Sequence, residues 1–99
     1  MRFLVEITVE FPAELRDPQS ERRRELLTAE LERGIELRRS GRIEKIWRIP
    51  GGLRNVGIWN AEDATELHEL IASLPLYSWI KASVTPLATH PVESAVDDL

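Results

Sequence analysis

The sequence predicts an α+β domain of βαββαβ order, a four-stranded antiparallel sheet with two helices on one face, and three observations carry that expectation. Apolar residues alternate with polar ones over Arg2 to Glu10, the period of a half-buried strand. A helical period of about six turns ends at Arg39, just before Gly41. A second strand pair joined by Pro50-Gly51-Gly52 then separates that helix from another apolar helical stretch.

Taken in order, the first strand places Phe3, Val5, Ile7 and Val9 on one face and Arg2, Glu6, Thr8 and Glu10 on the other. After a turn over Phe11 to Pro18, Asp17 is the expected N-cap of the first helix, with Pro18 at its first position. Gly41 supplies its stop. Ile43 to Ile49 and Asn55 to Trp59 read as a hairpin, because Pro and Gly between them set a tight reversal. Asn60 is the expected cap of the second helix, with Asp63 three residues on and Ala64, Leu67, Leu70, Ile71 and Leu74 as its apolar face. Pro75 ends that helix, and Trp79 to Leu87 forms the last strand. This order is the split-βαβ, ferredoxin-like arrangement. It gives one domain over residues 1–92 and an acidic tail over 93–99, expected to fray.

Composition limits what such a domain does. A 99-residue chain buries only roughly 60 to 65% of its unfolded surface alone, too little to enclose a roomy pocket. Ile46, Val56 and Ile58 suggest apolar side chains on both faces of the second and third strands, and the sheet face left bare of helices is the expected subunit contact, so a homo-oligomer, a dimer or a larger ring, is expected. A net charge of −4 opposes a nucleic-acid partner, since phosphate binding needs clustered cations. The run Arg22, Arg23 and Arg24 is bracketed by Glu21 and Glu25 and reads as a solvated helix face. The absence of cysteine removes disulfides, thiolate metal sites and a Cys nucleophile, which points to the cytoplasm. No apolar stretch approaches the roughly 20 residues of a membrane span. No phosphate loop or metal-ligand spacing occurs, so no cofactor and no metal are expected.

The candidate chemistry centres on the first helix. Glu30 alone among the carboxylates of the helix body falls inside the apolar arc of Leu26, Leu37, Gly34, Leu27 and Leu31. A carboxylate in such a position either pairs with a cation, Arg23 or Arg48, or takes a raised pKa suited to a general base. In Ile46-Trp47-Arg48-Ile49, strand alternation sends Trp47 with Ile43 and Ile49 to one face and Arg48 with Ile46 to the other. The Arg48 guanidinium matches a carboxylate, either Glu30 or a substrate's. Asn55 offers a donor and an acceptor to a carbonyl. His68 lies at the edge of the second helix's apolar arc, and His90 follows the last strand.

These residues together resemble the muconolactone Δ-isomerase family. The resemblance rests on Glu30, Leu37 and Gly41, then Ile46-Trp47-Arg48-Ile49-Pro50-Gly51, Asn55, Glu66-Leu67-His68, Leu74-Pro75-Leu76, Val84, Leu87 and His90-Pro91, and spans nearly the whole chain. It implies a ferredoxin-like subunit, a ring-like homo-oligomer with pockets at subunit contacts, no cofactor, and a proton shift in a small unsaturated lactone. Leu27, Leu31 and Gly52 depart from it, standing where basic or polar residues are common in the family. Glu30 is then the expected general base, with Arg48, Asn55, Trp47 and His68 expected to bind the lactone. Alternatives are a dehalogenase or tailoring enzyme acting on a more apolar lactone or polyketide-like substrate, favoured by the same departures, and a ligand-binding module without turnover.

Overall fold

Strand β1 (Arg2–Val9) occupies the middle of the sheet because it pairs on both sides, and its alternation buries Phe3, Val5 and Ile7. The computed structural model describes residues 1–96. Helix α1 (Glu21–Arg39), strands β2 (Ile43–Ile49) and β3 (Arg54–Asn60), helix α2 (Ala64–Ala72), strand β4 (Ile80–Leu87) and a short helix α3 (Pro91–Val96) complete the chain. Single 3-10 turns at Ala13–Leu15 and Tyr77–Trp79 precede α1 and β4. The strand order is β2-β3-β1-β4 with every pairing antiparallel. Each βαβ unit is thus split by a third strand, as the element order predicts.

The core lies between the helices and one sheet face. Phe3, Val5, Ile7, Ile43 and Trp59 from the strands meet Leu37 of α1 and Leu67 and Ile71 of α2. A second cluster of Phe11, Leu15, Leu26 and Leu76 closes one end. Burying such side chains contributes about 1.5 to 3 kcal/mol each.

Two expected caps move. Asp17 accepts from the Gln19 amide at 2.9 Å and closes a local turn, so α1 starts later, with the Ser20 hydroxyl accepting from Arg23 N at 3.2 Å. Both sites satisfy the preference of a helix start for a short polar side chain, and the turn consumes the first. In α2 the cap is Asp63, which accepts from Glu66 N at 2.8 Å, while Glu66 accepts from Glu62 N. Asn60 instead donates to Gly41 O at 3.1 Å and ties β3 to the start of β2. Gly41 (φ 79°) ends α1 in the left-handed conformation that side chains resist. The tail differs as well. Residues 93–96 belong to α3, whose start is held by His90 Nδ1 accepting from Val92 N at 3.1 Å, and residues 97–99 of the expected frayed tail lie outside the described residues.

A β-bulge between Ile43 and Lys45 corrects the expected facing of β2. Ile43 pairs with Trp59 and Ile46 with Gly57, so both turn to the helix side, and Arg48 follows them opposite Asn55. Trp47 and Ile49 then share the open face with Val56, so Ile43 does not accompany Trp47. The bulge depends on Gly57: a Cβ there would sit 2.9 Å from Lys45 O. Among the described residues no helix is long and apolar enough to cross a membrane.

Candidate active site

The two leucines that fix α1 to the core, Leu26 and Leu37, lie on one side of the helix's apolar arc. The rest of the arc, Leu31 and Ile35, projects beyond the core and overhangs the sheet, while Leu27 packs against the second cluster and also lines the space beneath. Leu31 is 65% exposed and Ile35 40%. Beneath them a cavity of about 430 Å³ opens to solvent, floored by Ile7, Ile43 and Ile46. Gly34 widens it, since no atom lies within 4 Å of where its Cβ would stand. In a single subunit this cavity is therefore a cleft with an open mouth rather than an enclosed pocket.

Glu30 faces this cavity. Its Oε1 accepts from Leu76 N at 3.0 Å, a backbone donor freed where Pro75 follows the end of α2. Neither expected cation reaches it. Arg23 donates to Leu15 O at 3.0 Å and sits 4.9 Å over the Phe11 ring. Arg48 donates to Arg54 O at 3.3 Å. Among the described residues Glu30 makes no ion pair. Burial raises its carboxyl above the ordinary 4.5, and the Leu76 hydrogen bond offsets only part of that rise. One oxygen is thus oriented by the backbone, and the other makes no hydrogen bond among the described residues.

Arg48 and Asn55 are register partners on the helix side, and both line the cavity. The guanidinium stands at an exposed strand edge, whereas Asn55 Oδ1 is buried with no hydrogen-bond partner. Trp47 borders the cavity but is 49% exposed, and its register with Val56 directs its ring to the opposite face. His68 lies outside the cavity, exposed on α2 with its ring edge-on to Tyr77 at 6.1 Å. Its phase marked the rim of the α2 arc, but that rim faces Tyr77. Two cavity residues escaped the sequence reading. Arg38, in the last turn of α1, lines the mouth without a carboxylate partner among the described residues. Trp59 also lines the cavity, and its indole nitrogen is buried with no partner among the described residues. The signal for Arg38 was its position two turns beyond Leu31. The signal for Trp59 was a polar atom in a strand phase that only apolar groups need to fill.

A site of this kind can hold a small molecule with an apolar body and an anionic or carbonyl oxygen, beside one carboxylate of raised basicity. The family model described as muconolactone delta-isomerase matches residues 1–93. A muconolactone Delta-isomerase of Rhodococcus opacus is 39% identical over 88 residues, covering 89% of this chain and 91% of that protein. One from Acinetobacter baylyi is 34% identical over 98 residues and covers 99% of each. The crystal structure of a muconolactone isomerase superposes with a TM-score of 0.80 at 30% identity, covering 92% of both chains. A 5-chloro-2-hydroxyhydroquinone dehydrochlorinase from Burkholderia phenoliruptrix shares the fold with a TM-score of 0.68 at 17% identity, over 93% of this chain and 98% of that one.

Proposed function

The chain belongs to the muconolactone Δ-isomerase family, and from that membership we propose that it shifts a carbon–carbon double bond in a small unsaturated lactone, with Glu30 as the general base. The observation that carries this reading is a carboxylate in an apolar cavity with no ion pair, held through one oxygen by Leu76 N.

The steps follow from that placement. Ionised Glu30 removes an acidic proton of the lactone, one conjugated with its carbonyl group. The electron pair moves into the ring, and charge collects on the carbonyl oxygen as a dienolate. The Glu30 carboxyl then returns the proton at a different carbon, the new double bond is left in place, and the carbonyl is restored. The same carboxylate takes and gives the proton, so atoms balance with no oxidant, reductant or cofactor. Asn55 serves the carbonyl oxygen, because its amide presents a donor on rotation about its terminal torsion. Arg48 and Arg38 hold the anionic arm of the substrate at the mouth, a match of guanidinium to carboxylate. Leu27 and Leu31 leave Glu30 and Arg38 as the charged groups that α1 brings to the cavity.

We further propose that the protein works as a homo-oligomer. The open sheet face presents Val56 and Ile58 with the exposed Trp47, and no helix among the described residues packs on it.

The experiment is substitution of Glu30 by Gln, which keeps the side-chain shape and removes the base. The kcat for muconolactone is expected to fall on the order of 10² to 10⁴, the contribution of a positioned acid or base, with fold and mass unchanged. Glu32→Gln and Glu36→Gln, exposed on the same helix, are expected to leave the rate within about twofold. A Glu30→Gln protein with wild-type turnover would remove Glu30 from the mechanism.

A further inference from the structure

Two buried side-chain polar atoms have no hydrogen-bond partner among the described residues, Asn55 Oδ1 and Trp59 Nε1. Both residues lie on the helix side of β3 and both line the cavity. Trp59 is the more telling of the two. It is 1% exposed, packed between Phe3 and Ile43 on the neighbouring strands, in surroundings that a phenylalanine would satisfy. A buried N–H left without an acceptor costs about 1 to 3 kcal/mol, and structures almost always supply one. Among the described residues none is supplied. Gly57 stands between Asn55 and Trp59 on the same face, so no side chain separates the two residues, which the strand repeat sets about 13 Å apart at their backbones.

We infer that the indole N–H of Trp59 is a hydrogen-bond donor to the lactone carbonyl oxygen, and that it stabilises the dienolate formed when Glu30 takes the proton. This rests on the isomerase reading above and adds a residue to it. A neutral donor in buried surroundings binds a carbonyl modestly and an oxyanion strongly, so its effect falls on the transition state more than on substrate binding. It carries no charge, so it does not compete with the raised basicity of Glu30 in the same cavity. Arg38 and Arg48 at the mouth handle the permanent negative charge, and Trp59 in the cavity lining handles the transient one.

The first test is Trp59→Phe, which keeps an aromatic ring and deletes the donor. The kcat for muconolactone is expected to fall about 10- to 100-fold while KM changes less than about threefold. A residue that only fills the core would lower the melting temperature and leave kcat in place, and that result would overturn the inference. The second test needs no folded variant. With indole nitrogens labelled by ¹⁵N, the wild-type protein gives one N–H signal for each of Trp47, Trp59 and Trp79. Titration with muconolactone at its equilibrium mixture is expected to move the Trp59 proton downfield, by more than the Trp79 proton. A Trp59 signal that stays in place at saturation would show that its donor never meets the ligand. Wild-type protein that binds the lactone without isomerising it would defeat the isomerase reading and leave the Trp59 contact to be decided by the titration alone.

Discussion

At the scale of the residue, Glu30 shows how an apolar setting raises the proton affinity of an ordinary carboxylate. The helical period places it inside an apolar arc, and the tertiary structure then withholds the cation that would otherwise neutralise it. The consequence is measurable through pH. The base acts only when ionised, so kcat/KM should fall on the acid side with a midpoint above 4.5, the value the group has without burial. A pH–rate profile checks this, and a midpoint at or below that value contradicts the raised basicity. Stability carries the opposite sign. The folded carboxyl holds its proton to higher pH than the unfolded one, so its favourable contribution is complete below the unfolded pKa and is lost as pH rises through the folded pKa. Chemical denaturation of wild type and Glu30→Gln across that window should therefore show wild type losing ground to the variant as pH increases.

At the scale of the element, the β2 bulge decides which side chains reach the cavity. Unbroken alternation would have placed Ile43 with Trp47 and Ile49. One irregular step lets Ile43 and Ile46 share the helix side, and carries Arg48 there opposite Asn55. Gly57 makes the step possible, because Lys45 O approaches to where any Cβ would stand. Gly57→Ala is thus expected to destabilise the protein by roughly 1 to 3 kcal/mol, the usual cost of forcing extra volume into a packed position. On a chain of this size that lowers the melting temperature by about 4 to 8 °C for each kcal/mol. Gly34→Ala serves as the control: it meets no atom within 4 Å, replaces a poor helix former with the best one, and is expected to leave stability unchanged or raised. Equal losses at the two glycines would contradict the role of the close approach.

At the scale of the molecule, the segment from Lys81 to Val96 stands apart from the core. From Lys81 to Val96 every residue is exposed, although β4 is fully paired with β1, and the molecule measures 55 Å in length against 27 and 21 Å across. Val84 and Leu87 are 42% and 40% exposed, and Val92 and Val96 more so. Together with the open sheet face this leaves much apolar surface in water for a chain of 99 residues. Light scattering at micromolar concentration is expected to return several times the 11.3 kDa of one subunit. A monomer mass under those conditions would refute the proposed assembly.

The elements themselves were legible in the sequence, because strand and helix periods are local properties: β1, β2, β3, α2 and β4 lie within a few residues of where alternation, Gly and Pro place them. The exceptional phase of Glu30 was legible for the same reason. The caps were not, since Asp17 and Ser20, or Asn60 and Asp63, offer the same side-chain chemistry, and the surrounding hydrogen bonds choose between them. Nor was the composition of the cavity. Trp59 and Arg38 join it, and His68 stands outside it, through the way α1 overhangs the sheet and α2 meets Tyr77. Periodicity states which face of an element a residue occupies, but whether that face meets a core, a cavity or solvent depends on packing between elements distant in the chain, and that only the tertiary structure decided.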